Sequence, residues 1–278
     1  AGDTDATMSA EIRFVRALHY FLLMDLMGAP AAEKIALLEP HASNFRRDDL
    51  FVELAKAYNQ NFQPEKALQL LLSHVFVACE GGEHAIADQY MYAWFQLGMA
   101  KKAAGDWAGC YEQLEKALTL PKSLGSGIWN RCKYVPYQFH MAECLEHMGK
   151  KEDAQSIYRM ILDIEVEFFS NMHLRELPYY QALCAEALGL QQKAWNIMAR
   201  AKRDWSFNLD RKDNGFFSTT PFFISFAQDP AIARRAYYQY LLGLVKLYEG
   251  DRERAKALFR ESYAGNSDSH FCHYYAHL

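Results

Sequence analysis

The chain has 278 residues, a net charge of −4, 51% hydrophobic and 23% charged residues. That length can bury a large core. The balance is not basic enough for a nucleic-acid footprint, and no apolar run reaches the roughly 18 residues of a membrane span.

Residues 1–8 are small and polar and read as a frayed end or cloning remnant. Ser9–Met27 carries Phe14, Ala17, Leu18, Phe21 and Leu22 on one helical stripe. Gly28-Ala29-Pro30 ends it, and Ala31–Leu38 forms a short second helix. Together 9–45 read as a degenerate capping unit, which a helical array needs where it lacks a neighbour. Helix pairs are then expected at Arg46–Gln60 with Pro64–Val75, Ala87–Ala104 with Trp107–Leu120, Val135–Met148 with Lys151–Glu167, and Glu176–Leu188 with Gln191–Arg203. Residues 204–234 break the pattern and form an aromatic-rich insertion, with Trp205, Phe207, Phe216, Phe217, Phe222, Phe223 and Phe226. So many rings cannot all face water. They pack either into the array or against another domain. Residues 235–278 hold a last pair, Tyr237–Tyr248 with Asp251–Ser262, and a short C-terminal cap.

The pairs share one frame. Gly243, Gly250, Ala255, Phe259 and Ser262 are spaced 7, 5, 4 and 3 apart. The same offsets recur at Ala55, Phe62, Ala67, Leu71 and His74, and again from Gly98, from Ala142 and from Ala182. Small residues sit where two antiparallel helices come closest, and the second position is a turn that favours positive φ. This spacing resembles the tetratricopeptide repeat, a helix-turn-helix unit of about 34 residues. The fold expected is all-α, a right-handed superhelical solenoid of such pairs. Successive copies begin 43, 44, 40 and 61 residues apart, so the excess lies in longer helices and loops.

In this architecture the first helix of each pair lines the concave face. Three residues before each small residue stand Val52, Phe95, Phe139, Tyr179 and Tyr240. One turn earlier stand Asp49, Tyr92, Pro136, Glu176 and Tyr237. The candidate partner-binding residues are therefore Tyr92, Phe95, Phe139, Tyr179, Tyr237 and Tyr240. They form either a platform for a partner's segment or a ladder packed against neighbouring helices and the insertion. The loop Glu80, Gly81, Gly82, Glu83 is a second candidate. No catalytic residue, metal site or cofactor is assigned. His270, His273 and His277 share a helical face, but no carboxylate or cysteine completes a zinc set. His74 reads as a satisfied core or interface histidine. The six cysteines (79, 110, 132, 144, 184, 272) show no metal spacing. They read as reduced packing residues, which points to the cytoplasm.

Several stretches carry a further resemblance. They are Arg47-Asp48-Asp49-Leu50-Phe51-Val52-Glu53, Ala57-Tyr58-Asn59-Gln60, Glu80-Gly81-Gly82-Glu83, Leu120-Pro121 with Leu124-Gly125, Phe216-Phe217-Ser218-Thr219, Tyr240-Leu241-Leu242-Gly243-Leu244 and Ala276-His277-Leu278. Over Arg46–Leu278 the chain resembles the C-terminal repeat region of a large bacterial family known as a domain of unknown function. The N-terminal part of that family is similar to galactose-mutarotase folds. The chain departs from it in having Val77-Ala78-Cys79 for a His-Pro-Trp, and His84 for a glycine. The resemblance implies a carbohydrate-related parent protein and a missing N-terminal portion. The expected function is then a non-catalytic interaction, docking or oligomerisation module. Its partner would be a protein: the parent's own N-terminal domains, a second subunit or a peptide. The alternatives are an independent peptide-binding adaptor using the aromatic groove, and a contributor of loops to a carbohydrate enzyme's active site.

Overall fold

The computed structural model describes residues 29–77, 84–125, 127, 131–165, 176–209, 211, 230–266 and 269–277. Among these there are only helices and turns. α1 is Ala31–Leu38, followed by a 3-10 turn at Glu39–Asn44. Five antiparallel pairs follow. They are α2 (Asp48–Gln60) with α3 (Pro64–Leu72), α4 (Ala85–Ala103) with α5 (Trp107–Ala117), α6 (Val135–His147) with α7 (Lys151–Leu162), α8 (Leu177–Ala187) with α9 (Gln191–Leu209), and α10 (Pro230–Tyr248) with α11 (Arg252–Gly265). A short α12, His270–Ala276, closes the described chain. The second helix of each pair packs on the first helix of the next, so the array is an all-α solenoid. No helix among the described residues is long and apolar enough to cross a membrane.

The repeated frame explains this regularity. The first and third frame positions are buried in every copy: Ala55 with Ala67, Gly98 with Cys110, Ala142 with Ala154, Ala182 with Ala194, and Gly243 with Ala255. Small side chains there let the two backbones approach. The second position turns the chain through positive φ in all five copies, at Phe62, Gly105, Gly149, Gly189 and Gly250. Phe62 is the exception in chemistry, since the left-handed region penalises a Cβ. Its ring packs on the C-terminal helix, stacking on His273 at 4.7 Å. At two of the turns an aspartate then caps the next helix: Asp106 accepts from the Gly109 amide, and Asp251 from the Arg254 amide.

Two expectations need correction at the 204–234 insertion. Its first residues continue α9 to Leu209, because the buried stripe Ala194, Met198 and Ala201 extends to Trp205. Phe207, by contrast, faces outward. At its other end α10 already starts at Pro230, a residue suited to a first helical turn. Phe216, Phe217, Phe222, Phe223 and Phe226 lie outside the described residues, as do the helix expected at Ser9–Met27 and the Glu80–Glu83 loop.

Candidate functional site

The first helices α4, α6, α8 and α10 present the expected aromatic row, and it is covered. Tyr92, Phe95, Phe139, Tyr179 and Tyr240 are all buried, Phe95 completely, and Tyr237 is half-buried. Of the two readings of the row, open platform or packed ladder, the packed ladder is the one seen, with the chain's own α12 against Tyr92, Phe95 and Tyr240. Phe95 meets Phe271 and Tyr274 edge-on, each at 5.1 Å. Tyr137 lies 5.9 Å from Phe271. Tyr275 stacks on Phe259 at 5.0 Å and lies 6.4 Å from Tyr240. Phe271 and Tyr274 touch both of the core clusters into which the solenoid divides, so α12 joins its two halves. The expected C-terminal cap is therefore an insert along the inner face. Phe271, Tyr274 and Tyr275 have the i, i+3, i+4 spacing of an apolar helix face, which marks a packed helix but not what it packs on.

Polar contacts fix the register of α12. Ser269 caps it, accepting from the Cys272 amide. His273 Nε2 lies 3.0 Å from the Gln60 carbonyl, which can only accept, so that nitrogen carries the proton. Nδ1 then accepts from the Tyr92 hydroxyl at 2.7 Å. Burial, with smaller effects from His277 and His270, pushes the His273 pKa down to about 4. His270 pairs with Gln89 at 2.8 Å, and Gln89 in turn accepts from Asn59. His277 Nδ1 lies 2.8 Å from the His273 carbonyl. The three imidazoles thus each hold a hydrogen bond within the fold, and His273 holds two.

Other polar groups on the inner face are also engaged. Glu176, buried just before α8, accepts from the Tyr237 hydroxyl at 3.1 Å, and burial raises its pKa. His140, Glu143 and Lys102 form a network between α4 and α6. Glu143 is half-buried, and the hydrogen bond from His140 and the charge of Lys102 hold it below the usual carboxylate range. His74 bonds Asp48 at 2.7 Å and stacks on Phe51 at 4.1 Å, which makes it a satisfied histidine of the α2–α3 pair. Cys110, Cys144, Cys184 and Cys272 are buried free thiols. Burial pushes Cys184 up to about 12 and Cys272 up to about 11, far from nucleophilic thiolates.

Residues 137–164, covering α6 and α7, match the family profile of the tetratricopeptide repeat. Several solved structures are similar at low identity. One is a Podosopora anserina putative kinesin light chain with nearly identical TPR-like repeats. It shares 17% identity over 78% of this chain and 93% of its own, with a TM-score of 0.33. YrrB, a TPR protein with an unusual peptide-binding site, shares 13% over 86% and 96%, with a TM-score of 0.32. A Rap protein complexed with Competence and Sporulation Factor shares 12% over 92% and 66%, with a TM-score of 0.35. The helix pairs and their common frame, together with the match at 137–164, make this chain a solenoid of tetratricopeptide-like repeats.

Proposed function

We propose that this chain is a non-catalytic protein-docking module whose contacts are made by its outer surface. One observation carries the reading: α12 fills the concave face and bonds to the first repeat over 213 residues of sequence. A peptide adaptor keeps that face open; here it is core. The second helices supply an outward surface instead. On α9, Trp195 is 63% exposed, an unusual place for a large ring unless something covers it. Beyond this, the sequence resemblance supports a carbohydrate-related parent protein, with its own β-sandwich portion as the partner.

The test is size-exclusion chromatography with light scattering. This chain is run alone and mixed with the separately expressed β-sandwich portion of a family member. Co-elution that Trp195→Ser abolishes supports docking through α9. A monomer that ignores the β-sandwich portion rejects that partner.

A further inference from the structure

Alongside α12 there is an opening among the described residues. It is a cavity of about 120 Å³, open to solvent on one side, and its lining includes Asp88, Lys133, Tyr137, Glu176, His270 and Phe271. At about 30 Å³ for each water, it has room for a small planar group and a short stem.

The charges on its wall are unequal. Lys133 Nζ donates to both oxygens of Asp88, each at 2.9 Å, so that pair is neutral within itself. Glu176 has no such partner: among the described residues it accepts from the uncharged Tyr237 hydroxyl, and no cation lies against it. Burial without a cation holds that carboxyl toward its neutral form, and a cation that enters the cavity stabilises the ionised one. The apolar walls narrow the choice of cation. Tyr137 and Phe271 stand at 68° to one another, 5.9 Å between centroids, and form an aromatic corner. A guanidinium is planar, weakly hydrated and able to stack on a ring while bonding a carboxylate through its fork. An ammonium is more strongly hydrated and lacks the flat face.

We propose that this cavity binds a guanidinium group, with Glu176 as its carboxylate partner and the Tyr137–Phe271 corner as its wall. The group is either a small free guanidine or the arginine side chain of a partner protein. The site goes beyond the docking role and does not depend on it. Because Phe271 belongs to α12, the cavity is complete only while that helix lies in the groove.

The experiment is calorimetric titration of the whole chain at mildly alkaline pH with three probes. These are ethylguanidinium, its neutral isostere ethylurea, and N-acetyl-arginine methylamide. Ethylguanidinium is expected to saturate one site, and ethylurea is expected not to. Glu176→Gln, which keeps an acceptor for Tyr237, should weaken binding by at least about tenfold, the weight of one charge-assisted bond. Binding of the arginine amide as well assigns the site to a partner's side chain; its exclusion assigns the site to free guanidines. Absence of saturable heat with ethylguanidinium, equal uptake of ethylurea, or full affinity in Glu176→Gln overturns the proposal. Should that variant not fold, Phe271→Leu decides: unchanged affinity without the ring overturns it, and a several-fold loss upholds it.

Discussion

The Tyr92 hydroxyl donates to His273 Nδ1 over 2.7 Å, joining two residues 181 positions apart. The bond requires a neutral imidazole, because Nε2 is committed as donor to Gln60. Other groups also face His273: Tyr263 from α11, His270 from α12 and His277 just past its end. None of them is an anion that would favour imidazolium. A histidine whose folded pKa lies near 4 and whose unfolded pKa is about 6.5 binds fewer protons when folded. Stability should therefore fall as pH drops from about 6.5 to 4, by up to about 3 kcal/mol, and then level off. His140, also held low by burial, acts in the same direction. The His273 share is the slope that His273→Gln loses in urea melts across that window. An unchanged slope would place the proton elsewhere.

Removal of residues 269–278 should expose the aromatic row that α12 covers. Tyr275, Cys272 and Ala276 are buried and Phe271 and Tyr274 partly so. Their loss should cost at least about 3 kcal/mol. The truncated chain should melt earlier and bind an apolar dye such as ANS, with fluorescence rising several-fold. A truncated chain with the parent's melting temperature and no dye binding would mean that α12 adds nothing to the cooperative unit.

The sequence made the repeat legible because its signal is local. Gly105, Gly149, Gly189 and Gly250 mark the turns, and the small residues five positions later mark the closest approach. Even Phe62, the wrong residue type for its turn, fell into register through the spacing of its neighbours. The occupant of the groove was not legible from such offsets. His273 reaches Gln60 and Tyr92 only because the superhelix brings its last helix back to its first repeats, and no local pattern encodes that return. The histidine spacing at 270, 273 and 277 is visible, but the partners of His270 and His273 lie 181 or more residues away. The end of α9 is hidden for a simpler reason: Trp205 stands at the head of a run of aromatics, yet it is the next step of the Ala194–Met198–Ala201 stripe.

Phe95 tests whether the row is core. Its ring has no exposed surface and touches Tyr137, Phe271 and Tyr274. Phe95→Ala should cost about 3–5 kcal/mol, the range for deleting a buried ring that its surroundings cannot collapse to fill. A loss under about 1 kcal/mol in chemical denaturation would mean that the groove is open in solution and α12 is not seated.

Two glycines at the same frame position should respond differently to alanine. A Cβ on Gly243 would lie 2.5 Å from Phe259 Cε1 and 2.7 Å from its Cδ1. Phe259 cannot easily retreat, because its far side stacks on Tyr275 of α12. Gly243→Ala should therefore cost about 1–3 kcal/mol through overpacking, with α12 loosened as the ring is displaced. On Gly98 the nearest atoms are Leu114 Cγ and Cδ2, both at 3.3 Å. A small rotation of that leucine gives the space, and the alanine gains up to about 1 kcal/mol of helix propensity. Gly98→Ala should then stay within about 1 kcal/mol of the parent. Paired thermal melts of the two variants decide the matter. Equal costs would show that the ring of Phe259 yields as readily as the leucine, and that α12 does not hold it in place.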